Sequence, residues 1–193
     1  MRRASGWCVA LAYALLSLFL VVEGRLRRGE EAKSLEAGAA DQGTTRLIGA
    51  AHGVAGLGVP LLALLPAGRA ARRPAVQLAG LGVMAGGLLL KVWAMLTLGR
   101  YYTRTLRVAG DQPLVDTGPY RLVRHPGYLA AIAMWVGFGL ALAGRLGALA
   151  AGAAMAAAYG RRIAAEEAML REALGEPYRA YARRTWRLVP PLY

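Results

Sequence analysis

The sequence predicts an all-α, polytopic membrane protein with about five transmembrane helices. Of its 193 residues 56% are hydrophobic and only 18% charged, and the mean hydropathy is +0.36. The apolar residues gather into runs close to the roughly 20 that a helix needs to cross a bilayer. The length suits one small domain and is too short for a multi-domain soluble protein.

The first run, Trp7 to Val22, follows Met1-Arg2-Arg3 and so resembles a secretory signal. Val21-Val22-Glu23-Gly24 lacks the small-x-small pattern of a cleavage site, and a retained span is expected. Residues 23 to 46 are charged and rich in Gly and Ala, a solvated connection in which Asp41 to Thr45 are placed to cap the next helix. Leu47 to Leu65 and Val76 to Leu98 supply the second and third spans. The fourth, Leu129 to Ala143, is short, and only Gly144 and Arg145 separate it from the fifth, Leu146 to about Ala165. Spans four and five therefore read as a tight helical hairpin. Residues 166 to 193 continue as a C-terminal cytosolic helix and tail. Small residues four apart, Gly49 and Gly53 in the second span and Ala148, Gly152, Ala156 and Gly160 in the fifth, predict faces where helices approach closely.

Charge gives the orientation. The formal net charge is +13, but the arginines lie mostly between apolar runs, where they orient spans and attract anionic headgroups of membrane lipids rather than nucleic acid. With the amino terminus outside, seventeen positive residues fall on the cytoplasmic side and six outside, with Lys91 left within the third span. Lys91 either snorkels or lines a polar cavity. His52 reads as a packed or interhelical hydrogen-bonding residue. A lone Cys8 excludes a disulfide within the chain, and with two histidines there is no Cys/His cluster to hold zinc, so no metal is expected.

The polar stretch from residue 99 to 128 is longer than a connector requires. Within it "DTGPYRLVRHPGY" combines a turn at Asp116-Thr117-Gly118-Pro119 with Pro126 suited to the first turn of the fourth helix. His125 then lies near a helix start, where amides and the helix dipole favour a carboxylate. The alternative makes Arg and Tyr here headgroup anchors. A second polar feature, "GRRIAAEEAMLREALGEPYRAYARR", extends the fifth span. Arg162 and Glu166, four apart, share a helix face, with Glu167 about 100° further round. They are either a surface ion pair worth about 0.3 to 0.5 kcal/mol or part of a site that the hairpin returns to the level of Arg124 and His125.

"LVDTGPYRLVRHPGY", Leu114 to Tyr128, followed by "EEAMLREALGEPYRAYARRTWRLVPPL", resembles the isoprenylcysteine carboxyl methyltransferase family, within the wider group that includes phospholipid methyltransferases. The G-P-Y, R-H-P-x-Y, E-E and L-G-x-x-Y-x-x-Y elements stand in the family's order and approximate spacing. "DQGTTR" before the second span and "LGRYYT" after the third extend the resemblance over most of the chain after about residue 40. It implies one membrane methyltransferase domain: first span and loop (1–46), spans two and three (47–98), a cofactor loop (99–128), the hairpin (129–165) and the C-terminal helix and tail (166–193). It also implies S-adenosyl-L-methionine as cofactor, bound from the cytosol beneath the polar loop and C-terminal helices, and a lipophilic methyl acceptor entering from the bilayer. That acceptor is an isoprenylcysteine-type carboxylate or another small lipophilic carboxylate, thiol or hydroxyl. By the same resemblance Gln112, Pro113, Leu114 and Val115 line the cofactor and Tyr120 closes on it. His125, Pro126, Gly127 and Tyr128 form the main binding turn, Glu166 holds a polar group with Glu167 as its companion, and Arg162 orients the acceptor. The alternatives are a phospholipid N-methyltransferase and a structural membrane protein without catalysis. A nicotinamide-dependent sterol reductase of related architecture is disfavoured by the short chain and the early Glu-Glu pair.

Overall fold

The computed structural model of the protein describes residues 6–27, 41–70, 73–103, 105 and 113–193. These form helices α1 (Gly6–Leu26), α2 (Thr44–Leu64), the one-turn α3 (Pro66–Ala70), α4 (Pro74–Leu98) and α5 (Pro126–Arg184), with 3-10 turns at Gly99–Tyr101 and Gly118–Arg121. Among the described residues the sole extended pairing is an isolated bridge between Val123 and Trp186. By length and composition α1, α2, α5, and α4 carried on to Tyr101, can each cross a membrane.

α5 accounts for two of the five apolar runs. Gly144 (φ 65°, ψ −149°) and Gly175 (φ 59°, ψ −132°) interrupt its helical torsions, in a region that glycine enters without steric cost. At Gly144 the chain reverses: a Cβ on Gly139 would lie 2.3 Å from the carbonyl carbon of Gly147, whereas eight residues of straight helix would separate them by about 12 Å. α5 thus consists of a first arm up to Ala143, a second arm from Arg145 to Leu174, and a third after Gly175. The first two are the hairpin that the Gly144-Arg145 break predicts.

The helix starts follow local chemistry. Pro74 and Pro126 occupy first-turn positions, where the missing amide proton costs nothing. The Asp41 carboxylate accepts the Thr45 amide at 3.1 Å and the Thr45 hydroxyl at 2.6 Å, capping α2 as its sequence suggests.

α5 is the hub, with α4 packed along it most extensively, α2 on another side, and α1 against both α4 and α5. Between α1 and α2 there is no extensive contact. Met84, Met134, Phe138 and Met155 are fully enclosed at the centre of the core.

The small-residue faces differ from expectation. A Cβ on Gly49, Gly53 or Gly160 would meet nothing within 4 Å and Ala156 is exposed, whereas Gly152 does make a close approach, a Cβ there lying 3.2 Å from Val136 Cγ2. α2 instead buries Ala51, Ala55, Val59 and Ala63. Four-residue spacing marks a helix face, and it does not say whether protein or lipid covers that face. The tight approach lies between α4 and the first arm, where a Cβ on Gly137 would be 2.6 Å from the Gly80 carbonyl oxygen and 2.9 Å from the Met84 amide nitrogen. Backbone cannot yield as a side-chain tip can. Gly137→Val is therefore expected to destabilise by about 3 kcal/mol or more, seen as a lower melting temperature in detergent, while Gly53→Val should leave that temperature nearly unchanged.

Candidate active site

The segment before α5 is held by the C-terminal tail. The Arg124 amide donates to the Trp186 carbonyl at 2.7 Å, the His125 amide to the Arg187 carbonyl at 3.1 Å, and the Trp186 amide to the Leu122 carbonyl at 3.0 Å. The amides just before the helix start therefore serve the tail.

Glu167 fastens this arrangement from the second arm. Its carboxylate is wholly buried and accepts Arg124 Nε at 3.0 Å, Arg171 Nη2 at 2.7 Å and Arg187 Nε at 3.2 Å, with His125 Nε2 at 3.4 Å. Arg124 also donates to the carbonyls of Ala182, at 3.0 Å, and Thr185. One carboxylate thus joins the segment that starts α5, the second arm and the tail, and through Arg124 it ties in the third arm. A buried carboxylate needs such saturation, because its desolvation is costly unless charge and hydrogen bonds compensate.

Next in the chain, Glu166 faces an open cleft. That cleft, about 850 Å³ when counted out through its open mouth, has Pro113, Leu114, Val115, Tyr120, Glu166 and Tyr178 in its walls. His125, Gly127 and Tyr128 also line it. The Tyr128 hydroxyl donates to Glu166 Oε2 at 2.6 Å, and the His125 ring stacks on Tyr128 at 5.6 Å between centroids. Burial pushes the Tyr120 hydroxyl well above its ordinary value, so it stays protonated. The Tyr178 hydroxyl is buried without a hydrogen-bond partner.

Behind Tyr128 lies Arg162, 2% exposed and outside the cleft wall. Its Nε donates to the Tyr128 hydroxyl at 3.3 Å, while Nη1 donates to Thr44 Oγ1 at 3.0 Å, Thr45 Oγ1 at 3.1 Å and the Asp41 carboxylate. Burial opposes the charge on Asp41, yet the Thr45 hydrogen bonds and the Arg162 charge hold its carboxyl below the ordinary 3.8. The pair is thus ionised throughout the physiological pH range.

Of the residues singled out in the sequence, Pro113, Leu114, Val115, Tyr120, His125, Gly127, Tyr128 and Glu166 converge on the cleft. Pro126 is buried at the helix start, Glu167 lies in the arginine cluster, Arg162 stands one side chain behind Tyr128, and Gln112 falls outside the described residues. Sequence reasoning did not assign the cleft residues Tyr101, Tyr102, Met169, Leu170, Tyr178 and Tyr181. The tyrosine pairs in "LGRYYT" and "LGEPYRAY" were the available signal. Asp41, 121 positions from Arg162, offered none beyond its capping role.

Residues 79–172 match the family model for the isoprenylcysteine carboxyl methyltransferase (ICMT) family. The chain is 32% identical over 111 residues to a probable protein-S-isoprenylcysteine O-methyltransferase of Oryza sativa subsp. indica, covering 56% of this chain and 58% of the relative. It is 30% identical over 113 residues to protein-S-isoprenylcysteine O-methyltransferase B of Arabidopsis thaliana, covering 58% of this chain and 57% of that one. The chain thus spans little more than half the length of these curated relatives. Among solved structures, the eukaryotic intramembrane Ras methyltransferase ICMT is similar with a TM-score of 0.57 and 28% identity, over 62% of this chain and 46% of that one.

Proposed function

Since residues 79–172 match the family model of the isoprenylcysteine carboxyl methyltransferases, we propose that this protein is an integral membrane methyltransferase. It uses S-adenosylmethionine, bound in the cleft from the cytosol, and methylates a carboxylate of the isoprenylcysteine type on a lipophilic molecule arriving from the bilayer. The observation that carries this reading is the cleft itself, where a carboxylate, a wall of tyrosines and an unpartnered Tyr178 hydroxyl converge. These residues fit the cofactor: Glu166 suits its ammonium or ribose hydroxyls, the aromatic faces suit adenine and a sulfonium cation, and the orphaned hydroxyl lacks only a polar partner.

When bound, S-adenosylmethionine supplies an electrophilic methyl group. The chain's own task is to hold and to position. Tyr128 fixes the Glu166 carboxylate, and Asp41, Thr44 and Thr45 fix Arg162, which directs the acceptor's carboxylate. A carboxylate is already a competent nucleophile, so no strong general base is required. The rate comes chiefly from holding the partners at attack distance, an effect worth up to about 7 to 11 kcal/mol in well-oriented systems.

The test is a titration of purified protein with S-adenosylhomocysteine. At 100 times its dissociation constant the ligand should stabilise the fold by about 2.7 kcal/mol, and Glu166→Ala should abolish the shift. A melting shift with NADPH and none with S-adenosylhomocysteine would overturn the proposal.

A further inference from the structure

A second polar cluster stands beside the cleft, at the end of α1 and the last turns of α4. Lys91 is 3% exposed, so it does not snorkel. Its Nζ lies 3.3 Å from Glu23 Oε2, 5.1 Å from the Phe19 ring centroid and 5.2 Å from that of Tyr102. Arg27, 7% exposed, donates through Nη2 to the other oxygen of Glu23 and rests 5.6 Å from the Tyr102 centroid.

This cluster is unbalanced in two ways. Among the described residues two buried cations face one carboxylate, leaving one positive charge in excess. Arg27 Nε and Nη1 are also buried without a hydrogen-bond partner, a costly state for a guanidinium unless something accepts from them. Excess charge and vacant donors in the same place call for an anionic oxygen group. Arg162, by contrast, already donates to Asp41, Thr44, Thr45 and Tyr128.

The setting favours an amphiphile. Tyr102 touches both cations and also lines the cleft, so the two polar regions share a wall. On the lipid side, α1 and α2 make no extensive contact with each other. Both pack on α5, so a hydrocarbon tail lying between them would rest against that helix.

We propose that Arg27 and Lys91 form an anion-binding subsite for the acidic head of a bilayer-borne amphiphile, the head lying beside Tyr102 and the tail between α1 and α2. On the methyltransferase reading, that amphiphile is the acceptor and the subsite shares with Arg162 the hold on its carboxylate; the binding itself does not depend on that reading. Carboxylate and phosphate heads share the required chemistry.

The experiment uses the full chain in phosphatidylcholine nanodiscs, with N-acetyl-S-farnesylcysteine and its neutral carboxamide as probes. The wild type should bind the carboxylate at least about tenfold more tightly than the amide, as a charge-assisted hydrogen bond implies. Arg27→Gln, which keeps the Glu23–Lys91 pair, should reduce that ratio to about two or less while S-adenosylhomocysteine binding is retained. Should Arg27→Gln fail to fold, Arg27→Lys, with its charge kept and its donor fork lost, should still reduce the ratio severalfold. Phosphatidylglycerol that displaces the probe from the wild type but not from the variant would support the subsite and assign it to lipid phosphate. Equal binding of acid and amide by the wild type, or an unchanged ratio in the folded variants, would overturn the proposal. Loss of S-adenosylhomocysteine binding in the wild type would instead strike the methyltransferase reading and leave the probe measurement standing.

Discussion

Replacing Glu167 by alanine is expected to destabilise the protein by about 3 to 5 kcal/mol, the range found when one partner of a buried ion pair is removed. The change strands Arg124, which is nearly buried, and deprives Arg171 and Arg187 of their shared acceptor. The first arm, second arm, third arm and tail lose their common tie together. A sharp fall in melting temperature and in monodisperse yield from detergent is the expected readout. Glu167→Gln keeps the shape and some hydrogen bonds, and should fall between alanine and wild type. A folded Glu167→Ala protein that lost only S-adenosylhomocysteine binding would instead give this carboxylate a direct role at the cofactor. The contrast with its neighbour is instructive: Glu166 and Glu167 are consecutive, yet one faces the cleft and the other is sealed among arginines, because successive helical positions point about 100° apart.

Arg162→Ala should remove turnover by a factor of about 10² to 10³ or more, the scale associated with losing one preorganised electrostatic contact, while S-adenosylhomocysteine still binds within about twofold of wild type. The separation follows from geometry, since Arg162 stands behind Tyr128 and outside the cleft wall. Arg162→Lys should not restore activity. An ammonium has three donors on a single nitrogen and cannot span Tyr128 on one side and Asp41, Thr44 and Thr45 on the other as a planar fork does. Turnover is measured by transfer of labelled methyl to a farnesylcysteine acceptor, and binding by melting shift. Parallel loss of both in a folded variant would end the proposed division between a cofactor-binding Glu166 and an acceptor-orienting Arg162.

Much of this was legible in the sequence because it depends on local signals. Hydrophobic run length marked the spans, Gly144-Arg145 marked the reversal, and Pro126 marked the start of α5. The cleft was legible where a motif carried it, from Pro113 to Val115 and from Tyr120 to Tyr128. What escaped depends on long-range pairing. Asp41 reads as a helix cap, and its bond to Arg162 exists only because α2 packs on α5. Lys91 reads first as a snorkelling residue and second as lining a polar cavity, and its burial against Glu23 and Tyr102 requires α1 to lie on α4. Gly49 and Gly53 misled because a face of small residues has the same spacing whether it meets protein or lipid.

The reversal at Gly144 also makes the site depend on counting. The cleft pairs Tyr128 with Glu166 across a loop of chain whose apex lies far from both. Inserting or deleting one residue within the second arm ahead of Glu166 would turn the helix beyond it by about 100° and shift it by about 1.5 Å, sending another side chain towards Tyr128. Length within the hairpin is therefore as strict a requirement as residue identity at the cleft. An indel within the second arm, remote from every cleft residue, is expected to disable the site by a phase error rather than by removing any atom that forms it.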